Sequence, residues 1–267
     1  MRVGYWQAPN LLYWWIDGHV SLNEAQAARL RQDIDRFMAW HRTDELPRYI
    51  DRLRHWQSLA DNDLTADTVC EQAEALTQHW ARLGEQGSPA LAALALELDD
   101  AQIAHLARHQ RKQQERFAKE FLRGTTEERL QRRLERTADR YEDLYGTLTP
   151  AELARVKAGL AASPFNPEAA LVDRQLRDER LIGRIRQWQA LPAGEARQAR
   201  AAQETAVWLR WPLPSSREAD APMAHVLRHG CEQFAALHNS TDAKQRAHAR
   251  RVLQGYEADL RALLRQD

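Results

Sequence analysis

The chain has 267 residues, 43% of them hydrophobic and 28% charged, and its 38 basic and 38 acidic side chains cancel to a formal net charge of zero. That balance excludes a disulfide-stapled miniprotein and a disordered chain. It also leaves no overall field to recruit nucleic acid or acidic lipid. With only 11 Gly and 10 Pro, few turns are left for an all-β fold.

In chain order, the first stretch is the most unusual. Tyr5, Trp6, Tyr13, Trp14 and Trp15 place five aromatics in eleven residues, with Leu11, Leu12 and Ile16 between and beside them. Core packing is the favoured reading and a seat at a lipid headgroup boundary is the alternative. No Lys or Arg between Tyr5 and Ile16 supplies attraction to anionic lipid.

From there the dominant period is helical. Leu30, Ile34, Phe37, Met38 and His41 share one face, as do Leu46, Tyr49, Ile50, Leu53 and Trp56. Val69, Ala73, Leu76, Trp80 and Leu83 form the next stripe. Ile103 to Phe121 and Leu130 to Tyr145 mark two long polar-backed helices. Shorter stripes follow at Leu153–Leu160, Leu181–Trp188, Val226–Phe234 and Val252–Leu263.

Punctuation agrees with the stripes. Thr125 with Glu128 and Thr149 with Glu152 have the spacing of capping boxes. Ser88-Pro89 and Asn166-Pro167 read as cap-plus-proline starts, and Gly146 suits a left-handed helix end. Linkers are expected at Ala60–Leu64, Gly84–Ser88, Ser163–Pro167 and Pro212–Pro222. The predicted fold is all-α: a single multi-helix body of ten to twelve helices, its outline compact or elongated. A main part over 1–211 carries a C-terminal helical hairpin over 223–267, packed on it as one continuous domain. An unequal echo links Leu22-Asn23-Glu24-Ala25-Gln26, Leu98-Asp99-Asp100-Ala101-Gln102 and Leu148-Thr149-Pro150-Ala151-Glu152; three similar helix starts account for it, and a solenoid does not.

Chemistry-bearing motifs are few. Neither a nucleophile elbow, a phosphate-binding glycine loop, His-Glu-x-x-His nor Cys-x-x-Cys occurs. His105/His109 and His225/His229 have the i, i+4 spacing of a chelating pair but need further ligands, and solvated imidazoles explain them better. The five arginines from Arg129 to Arg140 are interleaved with acidic residues, which describes an ion-paired helix face rather than a nucleic-acid stripe. Arg supplies 34 of the 38 basic residues, a usage a GC-rich genome explains. Cys70 and Cys231 match no metal spacing and leave one disulfide or two buried thiols equally open. No apolar run is long enough to span a membrane, and no signal peptide precedes Gly4-Tyr5-Trp6. A cytosolic protein or a mature domain without its export signal fits both facts.

Trp40-His41-Arg42-Thr43-Asp44-Glu45-Leu46-Pro47-Arg48-Tyr49 gathers an imidazole, carboxylates, guanidinium groups and a phenol at a predicted helix break. A polar knot satisfying helix ends is the favoured reading, ahead of a ligand site, with His41–Glu45 acid–base chemistry last.

The same segment, with Leu11-Leu12-Tyr13-Trp14-Trp15-Ile16-Asp17-Gly18-His19-Val20 and Gln26 before it, resembles an uncharacterised lipoprotein family of Gram-negative bacteria. The likeness continues through Leu98-x-x-x-Gln102-Ile103, Leu144-Tyr145-Gly146-x-Leu148-Thr149 and Phe234-Ala235-Ala236-Leu237-His238-Asn239-Ser240-Thr241. The resemblance implies a mature domain without its signal and lipidated cysteine, held by lipid in the periplasm at the outer membrane. It carries no established activity. A fainter resemblance, at the helix starts, is to small periplasmic chaperones with repeated Leu-Thr-x-x-Gln motifs.

Three functions are therefore weighed. First comes non-enzymatic binding of an envelope protein, or holdase action, which predicts an exposed apolar groove or concave face; Trp14, Trp15, Asp17, Trp40, His41, Glu45, Arg48 and Tyr49 are the candidate ligand or partner site. A structural envelope scaffold is second, and a hydrolytic or metal-dependent enzyme at His41 and Glu45 or a histidine pair is third. No catalytic residue, metal or cofactor is assigned. The expected partners are an envelope protein and, through the lipid, a membrane; nucleic acid is not one of them.

Overall fold

A computed structural model describes residues 2–210 and 222–265. The expected linker at Pro212–Pro222 lies outside these residues except for Pro222. The described residues are helical, with no strand among them. The helices are α1 (Arg2–Val20), α2 (Glu24–Trp40), α3 (Leu46–Leu59), α4 (Ala66–Leu96), α5 (Asp100–Phe121) and α6 (Thr126–Tyr145). There follow α7 (Pro150–Ala161), α8 (Pro167–Gln189), α9 (Glu195–Arg210), α10 (Pro222–Ser240) and α11 (Ala243–Leu264).

Burial on one stripe per helix builds the core. Val20, Leu98, Ile103, Leu106, Ile185 and Trp188 meet where the end of α1, the start of α5 and helix α8 converge. A second cluster sets Leu46, Ile50 and Leu53 of α3 against Leu253, Leu260 and Leu263 of α11. The last helix thus closes on the first third of the chain. Cys70 of α4 and Cys231 of α10 form a disulfide, which settles the alternative the sequence left open.

Two predicted breaks are not breaks. Helix α4 runs unbroken through Gly84–Ser88 and carries Pro89 inside it. Pro89 has no N–H for the carbonyl of Glu85 one turn back, and the Ser88 hydroxyl donates to that carbonyl instead, at 3.1 Å. So Ser88 repairs a helix rather than starting one. Gly84 is glycine because α9 crosses there: an added Cβ would lie 3.2 Å from Cβ of Leu209. Gly84→Val is expected to force α4 and α9 apart and cost about 1–3 kcal/mol, read as a lower urea midpoint; an unchanged midpoint would show that the crossing can slide.

The second is the segment His41–Glu45, which is π-helical and joins α2 to α3 without interruption. Its defining bond runs from the N–H of Leu46 to the carbonyl of His41. The wider turn relieves the clash that the Pro47 ring would otherwise make with the carbonyl of Thr43, four residues back.

The repeated helix starts are also more than look-alikes. Asn23/Gln26 and Asp99/Gln102 each close a capping box, and the two boxes face each other. Buried Gln26 Nε2 donates to Oε1 of Gln102 and to the carbonyl of Glu97. Gln102 Nε2 answers at the carbonyl of Ser21, 2.9 Å away. The Thr149/Glu152 box of α7 pairs in the same way with an Asp242/Gln245 box on α11, Gln245 Nε2 reaching Glu152 and the carbonyl of Thr147. Four helix N-termini are thereby locked in two similar pairs.

Candidate functional site

Around the π-helical segment, three elements bring polar groups together. Glu45 has no exposed surface. One carboxylate oxygen accepts from Arg82 Nε at 2.5 Å, and the other lies 3.0 Å from His79 Nδ1, both on α4 one turn apart. Arg48 Nε stands 3.8 Å from the same carboxylate. Beside it, Tyr5 of α1 bonds His41 Nδ1 through its hydroxyl at 3.1 Å. The Tyr49 ring lies between the two histidines, 5.6 Å from His41 and 5.0 Å from His79 between centroids.

The electrostatics set the resting states of Glu45, His41 and Tyr49. Burial alone would raise the Glu45 carboxyl, but hydrogen bonds from Arg82 and His79 and their charges hold it below its ordinary value. Burial depresses His41, partly offset by the Glu45 charge. Tyr49 is pushed up to about 12 by burial, with the Glu45 charge adding to it. Near pH 7 the site holds an ionised carboxylate, a neutral His41 and a protonated phenol. This is a polar junction of α1, the π-helical segment and α4; the expected knot of helix-end caps is corrected, because the helix does not end here and Glu45 is held by side chains of α4 instead.

Of the predicted site residues, His41, Glu45, Arg48 and Tyr49 converge here. Trp40 instead meets Phe37, with ring centroids 5.6 Å apart and planes tilted by 47°. Asp17 accepts the N–H of Leu22 at 2.8 Å and so shapes the α1–α2 turn. Trp14 and Trp15 stand apart on α1. Tyr5, His79 and Arg82 were missed; the i, i+3 placement of His79 and Arg82 on one face of α4 was the available signal.

Core packing for the N-terminal aromatics is corrected. Ile16 and Val20 do join the core, and Tyr5 packs against the α3–α11 cluster. Trp14 and Trp15, however, are 61% and 59% exposed, and Leu11 and Trp6 are open as well. A helix lying on the surface of a bundle has one inward face, and Tyr5, Ile16 and Val20 occupy it while Trp14 and Trp15 fall on the other. Among the histidine pairs, His105 bonds the carbonyl of Gly18 and His229 that of Gly159. No group of three or more metal-binding side chains is present among the described residues.

Two cavities lie between α3 and α4, and the polar one adjoins the knot at Arg48, His79 and Arg82. An apolar one of about 420 Å³ is walled by Trp56, Val69, Ala73, Leu76, Leu144 and Leu253, among others. The predicted stripe Val69–Ala73–Leu76 is therefore a cavity wall rather than sealed core, with Leu76 48% exposed. At its rim Tyr145 OH bonds Nδ1 of buried His238, whose Nε2 meets the carbonyl of Asn62, both at 2.8 Å. Burial holds that imidazole below its ordinary value, so it is neutral, with Nε2 donating and Nδ1 accepting from the tyrosine. The second cavity, about 390 Å³, is polar and bordered by Arg48, Arg52, His55, His79 and Arg82 with Asp51.

No curated protein and no solved structure matches the sequence. A family of unknown function, DUF6279, matches residues 18–199. That span holds the Trp40–Tyr49 segment, both members of the first cap pair and the α3–α4 face with its polar cleft. Leu11–Asp17 and Phe234–Thr241 fall outside it. With well over half of its length matched, the chain belongs to the DUF6279 family of unknown function.

Proposed function

We propose that this chain is a non-enzymatic binding protein of the bacterial periplasm, anchored by lipid at the outer membrane, which takes an apolar segment of an envelope protein on the outward half of α1. One observation carries the reading. Leu11, Trp14 and Trp15 are neighbours at i, i+3 and i+4 spacing and each keeps more than half of its surface open. Large rigid indoles in one apolar patch are what protein-binding hot spots are built from.

The compartment rests on other support. A disulfide joining helices 161 residues apart persists in an oxidising environment and is rare in a reducing one. The resemblance to periplasmic lipoproteins points the same way.

The experiment is suppression of aggregation of a thermally unfolded client by the purified protein. The double variant Trp14→Ser/Trp15→Ser is expected to need several-fold more protein for equal suppression, whereas Val207→Ser, at an equally open apolar position on α9, changes nothing. Equal protection by all three proteins would refute the α1 face as the binding surface. For the anchor, expression of the native gene should give a membrane-bound product with an acyl mass increment; an unmodified cytosolic product would refute the compartment.

A further inference from the structure

Helix periodicity joins the two cavities into one site. On α3, Arg48, Arg52 and His55 border the polar cleft, and beyond them Trp56 and Leu59, with Ala60 just past the helix end, border the apolar slot. On antiparallel α4, His79 and Arg82 border the cleft, while Leu76, Ala73, Gln72 and Val69 line the slot. The two meet at Gln72, whose Oε1 accepts from Arg52 and from Trp56 Nε1, both at 3.2 Å. A guanidinium group thus sits at the mouth of an apolar slot whose α4 wall runs for ~12 Å from Thr68 to Leu76.

Charge and saturation define the occupant. Three arginines border the cleft, whereas Glu45 is already held by Arg82 and Asp51 faces Arg54 at 3.5 Å. Positive charge is therefore in excess. Among the described residues Arg52 pairs with no carboxylate, its one hydrogen bond going to the neutral amide of Gln72, so its charge is left for an anion. In the slot the rim groups Gln72, Tyr145 and His238 already have partners. A peptide would bring backbone N–H and C=O groups with nothing to receive them. An unbranched hydrocarbon brings none.

We infer that the α3–α4 face is a binding site for a single-chain anionic amphiphile, its head among Arg48, Arg52 and His55 and its alkyl chain along Val69, Ala73 and Leu76. The site is separate from the outward face of α1 and does not depend on the function proposed for that face. Slots of this size and lining are ordinary for small ligands, and the cationic mouth sets which end enters last.

Calorimetric titration of the full chain tests it, with dodecyl phosphate below its micellar concentration as the probe. Dodecanol and inorganic phosphate serve as the tail-only and head-only controls. One dodecyl phosphate per chain is expected, bound at least tenfold more tightly than either control. Arg52→Gln should weaken dodecyl phosphate about tenfold and leave dodecanol unchanged. Ala73→Leu, which narrows the slot, should weaken both chains and leave the far-ultraviolet circular dichroism unaltered; Val207→Ser, on α9 and outside both cavities, should not weaken them. Dodecyl phosphate binding no more tightly than inorganic phosphate would overturn the tail site. Equal affinity for dodecanol and dodecyl phosphate, or an Arg52→Gln variant with native affinity, would overturn the head site. Absence of binding would overturn both.

Discussion

Replacing Cys70 and Cys231 together by alanine is expected to lower stability by roughly 2–5 kcal/mol and the melting temperature by roughly 5–10 °C. The bridge spans 161 residues, so in the chain-entropy picture it removes about 5 kcal/mol of freedom from the unfolded state. Its structural consequence is local. Asp67 and Arg228 also pair across the α4–α10 contact, but both are exposed and such a pair contributes little. Val69 precedes one cysteine and Phe234 follows the other by three residues, and both line the apolar slot. Loss of the bridge should therefore weaken dodecyl phosphate binding as well as stability. Urea unfolding of the oxidised protein, the reduced protein and the double variant measures the first effect. A loss below about 1 kcal/mol would show that α10 is held by packing alone.

Local patterns in the sequence fix most helices, because caps and apolar stripes act within one or two turns. Thr125 with Glu128 and Asn166 with Pro167 start helices where their chemistry requires. Gly84–Ser88 misleads for a tertiary reason. Glycine there serves the α9 crossing, and Ser88 supplies the donor that Pro89 lacks, so two helix-breaking signals sit inside one helix. The cap pairs were half legible. Leu22, Leu98 and Leu148 announce three starts, but the fourth, Thr241-Asp242-Ala243-Lys244-Gln245, has threonine in place of leucine, and nothing local says that caps 76 or 93 residues apart will meet.

The candidate site was legible only on one side. His41, Glu45, Arg48 and Tyr49 are adjacent in sequence, whereas Tyr5, His79 and Arg82 lie 36, 34 and 37 positions from the groups they bind. Hydropathy failed differently for Trp14, Trp15 and Leu76. An apolar stripe says that a face prefers not to meet water; it does not say which element covers it. These residues are left open, and the two binding surfaces proposed for the chain are built on them.

Glu45→Gln is the substitution expected to matter most at the knot. The amide keeps the volume of the carboxylate but turns one oxygen into a donor that must face Arg82 or His79, both donors to the native side chain. A cost of about 2–3 kcal/mol follows, in the range of lost charge-assisted bonds. It stays below that of a fully buried broken pair because Arg82 and Arg48 reach solvent. The acid profile separates this effect from simple packing damage. The native Glu45 carboxyl lies below its unfolded value, so its contribution is complete above about pH 4.3 and disappears as pH falls through the native value. His41 and His238 are depressed as well. They favour the folded state fully above about pH 6.5, and that contribution is lost as pH falls through their native values. The native protein should therefore weaken in two stages on acidification. Glu45→Gln should shrink the lower stage to what Glu204 and Glu128, also held below their ordinary values, still supply, and enlarge the upper one, since the Glu45 charge is what partly offsets the burial of His41. Urea midpoints measured from pH 7 to pH 3 give both stages. A variant within about 0.5 kcal/mol of the native protein at pH 7, with the lower stage intact, would mean that Arg82 and His79 do not hold this carboxylate in solution.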